Sequence, residues 1–359
     1  MKTLKIGDLL AKVPIVQGGL GVGISLSGLA SAVANAGGVG VISTAGLGVI
    51  YNKISKDLNE ASIHGLREEL RKAREKSKGI IGVNIMVALT NFADMVKTSI
   101  EEKADIIFAG AGLPLNLPSF LKEGSTTKLA PIVSSARALK VICRRWIGEY
   151  GYVPDAVVVE GPKAGGHLGY THEQLNDPAY ALENVVPEVV EAAREIGEKN
   201  GKHIPVIAGG GIYTGEDIVK FMALGADGVQ MGTRFVATDE CDASDIFKQS
   251  YVDAKKEDIE IIQSPVGMPG RAIRNSFLDK VKAGLKQPKV CPFNCIKTCD
   301  VVNSPYCIML ALFNAYNGKM ENGYAFAGSN AWRVDRIMSV SELINTLKEE
   351  FDAKIKSMM

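Results

Sequence analysis

The chain has 359 residues, with 41 Lys and Arg against 40 Asp and Glu and a net charge of +1. That is length enough for one large domain and an appendage, and the absence of any block of like charge argues against a nucleic-acid or membrane-surface partner. The opening MKTLKIGDLLAKVPIV carries Asp8 and Lys12 where an export signal needs an unbroken apolar core, so a cytoplasmic, reducing location is expected.

In chain order the sequence predicts a strand at Pro14–Gln17, a helix over Leu26–Ala36 and a strand at Val39–Ser43. These lie within Val13–Asn52, which has no charged residue but ten glycines. A membrane span is one reading of such a run; two buried parallel strands around an apolar helix explain it better. Next come helix Leu66–Lys76, strand Ile80–Ile85, helix Phe92–Glu102, strand Asp105–Phe108, a short helix near Ser119, strand Leu129–Val133, helix Ala136–Tyr150 and strand Ala156–Val159. Helix Val185–Lys199, strand Pro205–Ala208, helix Thr214–Leu224 and strand Gly228–Met231 complete the alternation. Eight such strands predict an α/β fold, a closed (β/α)8 TIM barrel in preference to an open doubly wound sheet.

After the eighth strand the alternation stops. Asp245–Asp258 predicts a polar helix, a Pro-interrupted, Cys-bearing stretch runs from Pro288 to Tyr306, and Ser339–Phe351 predicts a closing amphipathic helix. The expected division is a barrel over 1–236, a small, mainly helical lid over 237–324 above the barrel mouth, and a segment over 325–359 that returns to the barrel.

Barrel active sites lie where the strands end, so the residues just after each strand are the informative ones. Here they are Gln17-Gly18-Gly19, Asn84, Gly110-Ala111-Gly112, the run from Glu160 to His167, Gly209-Gly210-Gly211 and Gly232-Thr233-Arg234. Glycine after the seventh and eighth strands lets backbone N–H groups close on a phosphate, and Thr214 as a cap would bring a helix N-terminus close to it. Tight turns alone would also account for any single glycine. No GxGxxG opens a helix after a strand, so a dinucleotide domain is not indicated. A mononucleotide such as FMN suits the site, and a sugar phosphate bound by an isomerase or aldolase suits it too.

Of four histidines, at 64, 167, 172 and 203, only His167 falls among glycines on a strand-end loop. Its ordinary pKa near 6.5 lets it act as base or acid, and a structural hydrogen bond within the loop is the alternative. His172 is close enough in sequence to support it, while His64 and His203 read as surface residues. No nucleophile elbow and no HExxH point to a hydrolase.

PIVQGG at 14–19, AVANAGGVGVI at 32–42, GVNIM at 82–86, GAG at 110–112, EGPKAGGHLG at 160–169, IAGGGI at 207–212 and QMGTRF at 230–235 together resemble the nitronate monooxygenase family, formerly 2-nitropropane dioxygenases. They also resemble the related flavin-dependent enoyl-ACP reductases. The resemblance implies an FMN-binding barrel with Asn84 and Glu160 near the isoalloxazine or ribityl region. Gly165, Gly211, Gln230, Met231, Gly232 and Thr233 would hold the phosphate. Gln17, Gly18, Gly19, Gly166 and Gly210 join them as cofactor-binding candidates. It implies His167 as the base that takes the proton α to a nitro group of a small-molecule substrate, with oxygen as second substrate. In a reductase it implies NAD(P)H as co-substrate and an enoyl thioester or quinone as acceptor. A homodimer is a further expectation. Two residues depart from the family pattern: Glu160 stands where many monooxygenases have Gln, and Lys163 where an acidic residue is common.

Cys291, Cys295, Cys299 and Cys307 fall within 17 residues, while Cys143 and Cys241 stand alone. A helix over 291–299 would line up the first three. The spacing matches neither zinc pairs nor the common ferredoxin run. The four are a candidate metal or iron–sulfur site, with reduced thiols in a lid as the alternative.

Overall fold

A computed structural model describes residues 1–359. It begins with an antiparallel hairpin, β1 (Leu4–Ile6) and β2 (Leu9–Ala11). Six parallel strands follow: β3 (Ile15–Gln17), β4 (Val39–Ser43), β5 (Ile80–Met86), β6 (Ile106–Gly110), β7 (Lys128–Val133) and β8 (Val157–Glu160). A two-residue strand β9 (Gly166–His167) lies outside the ring, which β10 (Val206–Gly209) and β11 (Gly228–Met231) then complete. Val229 pairs with Ile15 across β11 and β3, closing an eight-stranded barrel. Every expected barrel strand is present, with ends shifted by no more than about two residues, the usual uncertainty of strand boundaries.

The alternation of side chains explains the uncharged opening run. Val16, Val39, Val41, Ile106, Phe108, Ala130, Val158 and Ile207 point into the barrel, where Leu4 and Ile6 of the unforeseen hairpin join them. Ile15, Ile42, Ile107, Leu129, Val157 and Val159 point outward against the helices. Strands buried on both faces leave no position for a charge.

The surrounding helices are α1 (Ser27–Asn35), α2 (Leu47–Ile50), α3 (Leu58–Lys76), α4 (Phe92–Glu101), α5 (Ala136–Tyr150), α6 (Leu182–Asn200) and α7 (Gly215–Ala223). Helix α3 starts two turns before the expected Leu66 because Asp57 accepts hydrogen bonds from the Asn59 and Glu60 N–H groups and caps it there. A single-turn helix α8 (Thr233–Val236) leads out of β11.

Beyond the barrel, α9 spans Asp245–Val252 and stops short of the expected Asp258. A hairpin absent from the sequence reading, β12 (Ile259–Gln263) and β13 (Pro269–Ile273), adds β9 as a third antiparallel strand, with Gly270 opposite His167. Helices α10 (Ser276–Lys282) and α11 (Ile308–Tyr316) flank an irregular segment holding the four cysteines, so the helix envisaged over 291–299 does not form. The closing helix α12 (Val340–Met358) packs on α7 so tightly that a Cβ on Gly215 would lie 2.3 Å from the Leu347 carbonyl oxygen. No helix is long and apolar enough to cross a membrane.

Candidate active site

The C-terminal ends of the strands enclose a cavity of about 250 Å³. Gly18 and Gly19 from β3, Asn84 from β5, Glu160 from β8, Gly165, Gly166 and His167 from the loop after β8, Gly210 and Gly211 after β10, and Gln230 to Thr233 at β11 all line it. Gln17 does not. It is fully buried in the barrel wall, its amide donating to the Gly18 carbonyl and its Oε1 accepting from Val41 N at 2.9 Å. It therefore braces the strand that presents the glycines, a correction to its expected contact with cofactor.

The glycines are required by close approach. A Cβ on Gly19 would fall 2.2 Å from that of Asn84, and one on Gly165 would fall 2.5 Å from the Ala327 carbonyl carbon. Gly210 and Gly211 both hold positive φ, 103° and 85°. The backbone N–H groups of Gly210, Gly211 and Gly232 donate to no protein acceptor. A bed of open N–H groups without side chains is what a phosphate needs, so this rim fits a phosphorylated cofactor.

Helix α7 is arranged differently from the sequence expectation. Thr214 caps it, but Asp217 accepts from Tyr213 N and Thr214 N, and Glu350 accepts from Gly215 N at 2.6 Å. The start of that helix is already occupied by the protein's own carboxylates, leaving the glycine loops to receive an anion.

His167 lies on the cavity wall with Nε2 2.7 Å from Ser264 Oγ and its ring edge-on to Phe326, centroids 5.0 Å apart. Its removal from water pushes its pKa down to about 4, so the ring is neutral at pH 7. Glu160 shows the opposite effect: burial pushes its carboxyl up to about 7. His172 lies exposed away from this wall, so its proposed support of His167 is not realised; Ser264 from the β12–β13 turn has that place. His203 is likewise at the surface, beside Asp227.

Several contributors were not legible in the sequence. Buried Arg271 donates from Nη1 to the carbonyls of Pro162 and Ala164 at 2.6 and 2.5 Å and so fixes the loop that carries His167. Residues 326–330 strap the glycine-lined side of the cavity: Gly328 N donates to Thr233 Oγ1 at 3.1 Å and Asn330 Nδ2 to the Gly211 carbonyl at 2.6 Å. Lys163 lines the cavity with its stem over Gly211. The only sequence signal for these was the AGGH loop itself, which needs outside support to hold its shape.

The family model described as nitronate monooxygenase matches residues 2–350. The chain belongs to this family. Among curated relatives, a probable nitronate monooxygenase of Staphylococcus saprophyticus is 27% identical over 78% of this chain and 81% of its own length. A Mycobacterium tuberculosis protein described as (3aS,4S,5R,7aS)-5-hydroxy-7a-methyl-1-oxo-octahydro-1H-indene-4-carboxyl-CoA dehydrogenase is 28% identical over 76% of this chain, which spans 66% of that relative's length. FabK from Thermotoga maritima superposes with a TM-score of 0.73 at 28% identity, covering 97% of this chain and 95% of that one. The chain is a flavin-dependent oxidoreductase, as its family membership indicates. No group of three His, Cys, Asp or Glu side chains is arranged to hold a single metal ion.

Proposed function

We propose that the protein oxidises alkyl nitronates with FMN as its flavin, oxygen as second substrate and His167 as base. The observation that carries this reading is the neutral, desolvated His167 on the wall of a glycine-floored cavity. The N–H groups of Gly210, Gly211 and Gly232, with Lys163 above them, would hold the FMN phosphate, and Asn84 and Glu160 would flank the ring system. FMN would accept the substrate's electrons and pass them on to oxygen.

The chain's own part is proton handling and positioning. With its proton on Nε2 and donated to Ser264, His167 keeps the Nδ1 lone pair for the α proton of a neutral nitroalkane, converting it to the nitronate that is oxidised. Phe326 against the ring restricts its rotation and keeps water from one side. A substrate anion held nearby would raise the basicity that burial has lowered. A small-molecule substrate, a cytoplasmic location consistent with six free cysteines, and the division into barrel 1–236, lid 237–324 and returning segment 325–359 belong to the same reading. So does a homodimer, for which exposed Leu285, Val290 and Val302 offer apolar surface.

A second reading is reduction of enoyl thioesters or quinones by NAD(P)H, favoured by Glu160. Its carboxyl, near half protonated at neutral pH, could supply a proton. Anaerobic mixing of the yellow protein with a nitronate, NADH or NADPH separates the two. Rapid bleaching by nitronate alone supports the first; bleaching by a nicotinamide, with none by nitronate, overturns it in favour of the second.

A further inference from the structure

We propose that Cys291, Cys295, Cys299 and Cys307 ligate an iron–sulfur cluster at the edge of the barrel mouth, a second cofactor site distinct from the flavin cavity.

Though 291–299 is not helical, the irregular segment and the start of α11 gather the four cysteines in one part of the fold. Cys295 packs with Cys299 against one apolar cluster and with Cys307 against another. All four are free thiols; Cys291 is exposed and the other three are partly buried. No three close on a single ion, as a zinc held by sulfurs each about 2.3 Å away would require. A cluster binds its thiolates at different irons, so its ligands need not close on one point.

Cys291 is also supplied with a hydrogen-bond donor, as cluster ligands are. Asn294, held at φ 42°, turns its N–H onto Cys291 Sγ at 3.3 Å.

The segment is tied to the rim of the barrel. Leu89, in the loop after β5, bridges to Ile296; Thr90 Oγ1 donates to the Asn294 carbonyl at 2.7 Å; and Lys297 N donates to Ala88 O at 3.0 Å. Cys307 caps α11, and Leu312 on that helix lines the flavin cavity. Five residues of helix separate them, about 7.5 Å of rise. This is a place for an electron carrier beside a flavin.

The test is to purify the whole protein anaerobically, incubate it with ferrous iron and sulfide, and desalt it. The expected result is about two to four irons per chain with an equal amount of acid-labile sulfide, and a dithionite-induced EPR signal distinct from the flavin radical. Each of Cys291→Ser, Cys295→Ser, Cys299→Ser and Cys307→Ser should lower retained iron at least about fivefold while keeping bound flavin. Should the variants fail to fold, the iron and sulfide content of the unaltered protein still decides. One zinc without sulfide, one iron without sulfide, or no metal with six titratable thiols overturns the proposal.

Discussion

Glu160 gives the sharpest test of the cavity's electrostatics. Burial alone moves its carboxyl from 4.5 to about 7, so folding disfavours its ionised form. Below pH 4.5 the group is protonated in both folded and unfolded chains and costs nothing. As the pH rises from there through 7, the unfolded chain sheds the proton first, and the folded protein loses stability until both states are ionised. At about 1.4 kcal/mol per unit the ceiling is about 3 kcal/mol. Because the side chain is only partly buried, solvent reduces this to about 1–2 kcal/mol. Glu160→Gln removes the charge at nearly constant shape. Urea unfolding of flavin-free wild type and variant at pH 5 and pH 8 should show the variant gaining about 1–2 kcal/mol on wild type between the two. A difference that does not change with pH would refute the argument that Glu160 sits unpaired in a desolvated wall.

Three further outcomes follow from named contacts. His167→Ala should keep its flavin yet lose about 10²–10⁴-fold in the rate of anaerobic bleaching by a neutral nitroalkane; in a Glu160→Gln background with His167 intact, the remaining acidic limb of kcat/KM should lie near 4. Gly165→Ala puts a methyl 2.5 Å from the Ala327 backbone, so the strap over the glycine-lined side must shift; we expect a cost of about 1–3 kcal/mol and at least about tenfold weaker flavin retention on dilution, read by fluorescence. Arg271→Ala leaves the Pro162 and Ala164 carbonyls without their buried donor and should cost about 2–4 kcal/mol in unfolding free energy, with flavin spectra at saturating FMN showing a disordered His167 loop; Arg271→Lys should restore part of both.

The barrel was readable because its strands are short apolar runs, several closed by glycine, and the burial of Val39, Val41 and Ile42 alike follows from parallel pairing on both sides with both faces covered. The rim was readable for the same reason: once the strands are placed, the strand-end rule selects Gly18, Asn84, Glu160, His167, Gly211 and Gly232 without further information. What escaped depends on partners far away in the chain. Hairpin β12–β13 begins among charged residues and carries a Pro at Pro269, so its pattern is weak alone and is fixed by pairing with Gly166 and His167, about a hundred residues earlier. Arg271 reads as a surface residue until β13 turns it onto the AGGH loop. Gln17 looked like a rim residue because it sits beside two that are, but alternation along the strand puts it on the face of Ile15, opposite Val16 and the barrel interior.

Helix α7 shows why a correct local reading can still misplace a function. Thr214 does cap the helix, with Asp217 completing the capping box. That success uses up the N–H groups a phosphate would want, and Glu350 from α12 takes another. A free helix end would have left the half-buried Glu350 carboxylate of α12 without this partner. In the arrangement found, the Gly215 N–H joins the last helix to the barrel, and the N–H groups of the glycine loops are the ones left without a protein acceptor. The division of labour between capped helix and open loop is set by tertiary contact, and it makes the returning segment a condition of a well-formed cavity.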